Sequence, residues 1–527
     1  MSHQPRLLAL LLFILLTLRI SAQSLSPASA AEQQRDNHTA FQLFDKTNPT
    51  NASAARFAQY AQFLLLDDAQ LTTLLAGQPK AISLTLPYNE EVLILDLIQT
   101  DIFAADFKAL DGQSAGEMLS LQPGLHYRGV LRGEAQSIAA FSFFENDVMG
   151  LVSDDRHGNL VLGKVQETPD ARSFMLYADS ELAMDNPFEC HVFETSQAEK
   201  SGVKAGRKTS GRALRISLEA DYSLFKNRGS LPSTVNYLTG VFNAVAVLFA
   251  QEQVDAVLSQ IIVWDTPDPY TAAGPQNVLD QFRALRSDSD ADLSQLVGLY
   301  ENNPESAAYL DALCSNGYKV AYSGLSVSYS RVPTYSWAVE VMAHEIGHNL
   351  GARHTQWCGW PGGAIDQCQL AESGCTPGME TTSGNTVMSF CPLTISSVNF
   401  SKGFGPLPGA VIRDRVASAA CLAPVKKTSL PATPRANKPQ QVQPGEEILR
   451  LAPNPATELV NVDVRLETAN AASVILLDIT GRPLQTRVLA QRRETVEFDL
   501  GKLPKGVYLV QILDGEKMVA MKRLVKN

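Results

Sequence analysis

Over the first two hundred residues, apolar and polar positions alternate in short runs. AISLTLP (81–87), EVLILDLI (91–98) and SIAAFSFFENDVMGLVS (137–153) are each bounded by Gly, Pro, Asn or Asp. Two-residue alternation with such boundaries predicts strands, so residues 23 to about 200 read as a β-rich region. From Ala213 the period changes. ALRISLEAD (213–221) predicts a strand, PSTVNYLTGVFNAVAVLFAQEQ (232–253) a helix after a Ser/Thr start, and AVLSQIIVWD (256–265) a buried strand. A second helix is expected near 291–300, a strand at YKVAYSGL (318–325), and another helix around residues 341–350. Strand and helix in alternation imply a layered α/β architecture. The last eighty residues return to short strands: LVNVDVRL, SVILLDITG, TVEFDL, GVYLVQIL and MVAMKRLV, with turn signals between them. That pattern predicts a small β-sandwich.

Two stretches lack any apolar period. KSGVKAGRKTSGR (200–212) is small and basic, and PVKKTSLPATPRANKPQQVQPGEE (from 424) is rich in Pro, Lys and Gln. Both read as linkers, the first open to proteases at Lys200, Lys204, Arg207, Lys208 and Arg212. Residues 1–22, MSHQPRLLALLLFILLTLRISA, have Arg6 ahead of a leucine-rich run and Ser21-Ala22 behind it. The run is shorter than the ~20 residues of a membrane helix, so a cleaved signal peptide is expected, with no membrane span in the mature chain. The fold class is therefore multidomain. A signal peptide (1–22) and a β-rich region with a basic linker at its end (23–212) precede an α/β (α+β) domain (213–423). A linker (424–446) and a β-sandwich (447–527) follow.

Net charge is −11 and the sequence pI about 5.3, which argues against a nucleic-acid partner. Export permits disulfides. Of seven cysteines, six fall between Cys314 and Cys421, which allows fifteen pairings, and Cys190 stands apart far upstream.

The chemistry concentrates in VMAHEIGHNLGARHTQWCGW (341–360), which holds three of the eight histidines. Residues four apart share a helix face, so His344 and His348 can face one metal ion. Glu345 lies beside them, able to reach a metal-bound water without being a ligand. Val339, Met342, Ala343, Ile346 and Leu350 supply a buried face. Gly351 is placed to end the helix in the left-handed conformation and to turn His354 back as a third ligand. Three imidazoles leave a fourth zinc position for water, the catalytic arrangement, with Glu345 as general base. A chance motif would not fix five positions (His, Glu, His, Gly, His), and a scaffold that had lost catalysis would not need Glu345. The acidic run RSDSDADLSQL (286–296) is no EF-hand, because Leu293 stands at the turn-glycine position and Leu299 at that of the closing glutamate. It reads as a solvated helix start, and structural Ca2+ has no support in the sequence.

HEIGHNLGARH resembles the metzincin metalloprotease signature, H-E-x-x-H-x-x-G-x-x-H. NTVMSFC resembles the family's methionine turn, with Met388 below the metal. NAVAVLFAQEQVDAVLSQIIVWDTPDPY and the cysteine-bearing loop after His354 resemble the adamalysin (reprolysin) branch in its bacterial form, over roughly residues 213–423. Thr355 stands where that branch usually carries Asp, and Phe390 where some metzincins carry a tyrosine ligand. The resemblance implies one catalytic Zn2+ on His344, His348 and His354, Glu345 as base, and protein or peptide substrates. It implies the disulfides Cys314–Cys421, Cys358–Cys391 and Cys368–Cys375. It also implies a latent precursor in which 23–212 is a propeptide and Cys190 fills the fourth zinc position, although His191 replaces the glycine often found after that cysteine. The terminal domain resembles the sorting domain of type IX secretion. That likeness implies the secretion machinery as partner and a secreted or outer-surface protein of a Gram-negative bacterium. The competing reading is a surface adhesion or binding protein on an inactive metzincin scaffold; the completeness of the motif favours the enzyme.

Overall fold

The computed structural model describes residues 38–48, 61–112, 124–165, 170–182, 189–194, 213–286, 288–300, 305–315, 317–326, 333–371, 374–375, 385–390, 398–422, 449–465, 472–478, 482–489, 493–514 and 517–526. The signal run 1–22, the basic linker 200–212, the linker 424–446 and Cys391 lie outside them. The chain divides into two compact units, Met1–Pro431 and Ala432–Asn527.

In the first unit, ten strands between residues 39 and 178 form one sheet. Its centre is an antiparallel run through Glu91–Gln99, Leu125–Leu131, Ile138–Phe144, Asp147–Asp154, Gly158–Lys164 and Ser173–Ala178. Both faces are covered. Ile138, Ala140 and Phe144 join the core shared with the downstream residues, whereas Ala139, Phe141 and Phe143 fill a second core on the opposite face. Double burial explains why IAAFSFF is apolar almost throughout instead of strictly alternating.

The second sheet positions the histidines. We label its strands in chain order: β1 (Phe103–Asp111), β2 (Glu189–Glu194), β3 (Leu214–Ala220), β4 (Ala256–Val263), β5 (Leu293–Tyr300), β6 (Glu305–Leu310) and β7 (Val320–Ser326). Across the sheet the order is β2-β6-β7-β5-β3-β4-β1, parallel except between β6 and β7. Both outer strands come from upstream of the basic linker, so the leading region completes both edges of the sheet. An unpaired edge strand would expose a row of backbone donors and acceptors.

Helix α1 (Leu231–Gln251) lies between the two sheets, with Ser230 as N-cap and Pro232 in its first turn. It is the one described helix long and apolar enough to cross a membrane by length and composition. Its apolar surface is used inside the fold. The buried Asn243 donates to the carbonyls of Tyr127 (3.3 Å) and Phe141 (3.0 Å) and accepts from Arg128 Nε at 2.9 Å. These bonds tie α1 to the ten-stranded sheet. Helix α2 (Pro275–Arg286) packs Val278, Leu279 and Phe282 on the other face of the seven-stranded sheet. Helix α3 (Tyr335–Asn349) is buried along its whole length, and α4 (Pro406–Ser418) follows it.

The expected helix near 291–300 is instead the strand β5, and the helix lies earlier, at α2. Leu293, Leu296 and Val297 are buried at the centre of a parallel sheet. A strand covered on both faces carries no period that separates it from a buried helix. The solvated helix start expected at 286–296 is corrected by the same strand.

The second unit contains a three-stranded sheet (Leu449–Ala452, Leu459–Arg465, Arg493–Asp499) and a four-stranded sheet (Ala472–Leu477, Pro483–Val488, Gly506–Asp514, Lys517–Lys526), all antiparallel. Alternate residues such as Val460, Val462, Val474, Leu476, Val510 and Ile512 meet in one core.

Candidate metal centre

The helix α3 ends at Asn349, and Gly351 takes φ +90°, where a side chain would be strained. The Ala352 amide donates back to the Gly347 carbonyl at 3.0 Å, closing a Schellman turn. The reversal brings His354 over the helix, and the Trp360 indole holds it by donating to the His354 carbonyl at 2.8 Å. The ring nitrogens of His348 and His354 come to 3.1 Å (Nε2 to Nε2).

Each helix histidine is fixed by its other nitrogen. His344 Nδ1 donates to the Val387 carbonyl and His348 Nδ1 to the Ala352 carbonyl, both at 2.8 Å. A carbonyl only accepts, so Nδ1 carries the proton and Nε2 presents its lone pair to the cluster. Burial, with the other imidazoles beside them, pushes the pKa of His344 down to about 3 and that of His348 well below its ordinary value. Both rings stay neutral, as metal ligands must.

Cys190 joins them. Its Sγ and one nitrogen from each of His344, His348 and His354 all lie within 4.8 Å of one another, and all four residues are buried. Cys190 forms no disulfide. It sits on β2, paired in register with Ser306 on β6, and strand alternation turns its side chain into the core shared with α3. Glu345 is buried with both carboxylate oxygens lacking a hydrogen-bonding nitrogen or oxygen among the described residues. Burial pushes its carboxyl well above the ordinary range, and the Cys190 thiol offsets part of that shift. A cation held by the neighbouring imidazoles fits both observations. Ligand nitrogens about 2.0–2.1 Å from a tetrahedral zinc stand roughly 3.3 Å apart, close to the His348–His354 separation.

The methionine turn lies beneath. Ser389 N donates to the Thr386 carbonyl, Thr355 N donates to the Met388 carbonyl, and Met388 is fully buried. A Cβ on Gly347 would stand 2.7 Å from Met388 Sδ, so the helix needs glycine where the turn crosses it. The Phe390 ring packs 4.6 Å from that of His354.

Residues the motif does not contain also support the cluster. The buried Asp366 accepts from Ser389 Oγ at 2.9 Å, joining the loop after His354 to the methionine turn. The carbonyls of Val387 and Ala352 choose the histidine tautomers. Backbone acceptors leave no mark in a sequence, and Asp366 is one acid in a loop without period.

The disulfides require a correction. Cys314 and Cys421 are joined, with Cα atoms 5.5 Å apart. Cys358 is bonded to Cys375 across a Cα separation of 5.6 Å, which excludes the expected Cys358–Cys391 and Cys368–Cys375 pairs. Ile365 N donates to the Thr355 carbonyl at 2.7 Å, and the loop doubles back so that Cys375 N reaches Cys358 Sγ. Cys368 is also disulfide-bonded.

Residues 210–401 match the model Reprolysin_5, metallo-peptidase family M12, and residues 450–527 match a secretion system C-terminal sorting domain. The chain carries an M12 metallopeptidase domain. Metalloproteinase-II from Bacteroides fragilis is a structural neighbour at 11% identity, covering 54% of this chain and 85% of its own, with a TM-score of 0.32. Archaemetzincin from Methanopyrus kandleri matches at 14% identity over 40% of this chain and 98% of its own, with a TM-score of 0.23. Both structural likenesses are loose, and the site rests on this chain's own geometry. The sorting domain marks the metallopeptidase for export to the cell surface or beyond it.

A buried carboxyl joins the leading region to α3 of the metallopeptidase domain. Asp179 accepts from Asn159 Nδ2 at 3.1 Å, and burial pushes its pKa up to about 7 despite that hydrogen bond. Glu340 on α3, also buried, is pushed well above the ordinary range by burial and by Asp179. In the unfolded chain Asp179 ionises near pH 4. Between pH 4 and 7 the folded chain holds the extra proton, so this group's contribution to stability falls as pH rises. Asp179→Asn is expected to stabilise the full-length chain at pH 8 by on the order of a few kcal/mol, seen as a higher Tm, and to change it little at pH 4. Thermal melts at the two pH values check this.

Proposed function

We propose that the chain is the latent precursor of a zinc-dependent endopeptidase. In this reading residues 1–22 are the signal peptide, 23–212 the propeptide, 213–423 the catalytic domain, 424–446 a linker and 447–527 a β-sandwich sorting domain for type IX secretion from a Gram-negative cell. The observation that carries it is the buried meeting of His344, His348, His354 and Cys190 around Glu345.

His344, His348 and His354 would hold the ion through their Nε2 atoms, with orientations set by Val387, Ala352 and Trp360. A zinc ion held there would supply Lewis acidity, lowering the pKa of water and polarising a peptide carbonyl. Glu345 takes the proton from the attacking water on a carboxylate oxygen and passes it to the leaving amine. Met388 and Gly347 give the cluster a rigid floor, and Phe390 has no oxygen with which to compete for the ion. In the precursor the Cys190 thiolate would be the fourth donor, and a thiolate there would exclude water. Its strand β2 continues the metallopeptidase sheet at the β6 edge, so the chain that blocks the site also covers the edge beside it. Cutting within 200–212 frees β2 to leave.

The experiment is casein hydrolysis by the processed extracellular protein. Loss of cleavage with a chelator and return with Zn2+ are expected; cleavage that persists in the chelator defeats the reading.

A further inference from the structure

The strand that carries Cys190 has a second face. Glu189 and His191 alternate with Cys190 along β2 and point away from it, toward the side of the sheet on which α2 packs. There they meet Glu305, the first residue of β6. One donor atom each from Glu189, His191 and Glu305 lies within 4.8 Å of the others. Among the described residues it is the one such group outside the histidine cluster.

Two further observations point to a cation. Glu189 and Glu305 are direct partners in the ladder, and like charges placed opposite each other oppose strand pairing. His191 Nε2 is shut off from solvent and has no hydrogen-bond partner among the described residues, although Glu189 Oε1 is 3.9 Å away. That separation is too long for a hydrogen bond but suits two ligands drawn toward one ion.

We propose that Glu189, His191 and Glu305 bind a second divalent cation that bridges β2 to β6. One imidazole with two carboxylates suits zinc or another borderline first-row ion better than calcium, whose ligands are oxygens. The two carboxylates match the ion's charge, and the half-exposed site leaves its remaining positions to water. The ion staples the Cys190 strand to the sheet edge. The stapling role rests on the latency reading above; the binding does not.

The test is a Zn2+ titration of the full-length precursor carrying Glu345→Ala, which keeps the chain intact. Two equivalents are expected, falling to one with His191→Ala or Glu305→Gln. One equivalent in the parent that survives both substitutions, or two that survive them, overturns the proposal. A His344→Ala/His348→Ala precursor is expected to keep one equivalent and lose it when His191→Ala is added. If the catalytic site binds no metal, the parent takes up a single ion that only the His191→Ala and Glu305→Gln changes remove, so the two failures are told apart. Alkylation of the Cys190 thiol by iodoacetamide is expected to slow severalfold as the second equivalent is added. An equal slowing in His191→Ala overturns the staple.

Discussion

Glu345→Ala is expected to lower casein hydrolysis by the processed enzyme about 10²–10⁴-fold while leaving zinc content and Tm close to those of the parent. The separation of effects follows from geometry. Glu345 precedes no turn, bonds no backbone group and is not among the four donors that converge. Its carboxylate makes no ordinary hydrogen bond among the described residues, so replacing it with alanine removes no bond that supports the fold. A purely structural glutamate would behave the other way, with lost stability and intact turnover. Activity of the parent kind in Glu345→Ala would refute the general-base role.

The second large effect belongs to Cys190. Cys190→Ala in the uncut precursor is expected to raise peptidase activity tenfold or more, since even about 1.4 kcal/mol of lost thiolate binding changes the open fraction by a factor of 10. The gain must come without cutting, so mass spectrometry of the same sample should find residues 200–212 intact. The substitution leaves β2 paired with β6 and leaves β1 paired with β4. A modest gain, below that of the processed enzyme, would therefore mean that the strand itself still obstructs the site. Unchanged latency would remove the thiol from the account.

The parts legible in the sequence are those carried by local spacing. His344 and His348 are one helical turn apart, and Gly351 is the residue a reversal requires, so the cluster could be assembled from eleven consecutive residues. Helix α1 and strands β3, β4 and β7 also follow from period and boundaries. Long-range partners are another matter. Nothing in FAADFKALD (103–111) signals that it pairs with β4, some hundred and fifty residues downstream, rather than within its own region. Strand β5 was hidden by burial on both faces. Cys358 had five formal partners in the catalytic region, and only the folding of the loop selects Cys375. Asp366 and the carbonyls of Val387 and Ala352 act through contacts that no motif spells out. Thr355, the departure from the adamalysin pattern, is buried with its amide on the Met388 carbonyl, while the carboxylate near the methionine turn comes from Asp366.

The central claim is that three imidazoles and one thiolate share a single ion in the precursor. X-ray absorption at the zinc edge, on precursor loaded with one equivalent, measures this directly. The account predicts a sulfur at about 2.3 Å beside nitrogens at about 2.0–2.1 Å, with the sulfur replaced by oxygen once the linker is cut and the propeptide removed. A precursor spectrum with nitrogen and oxygen donors alone would contradict it.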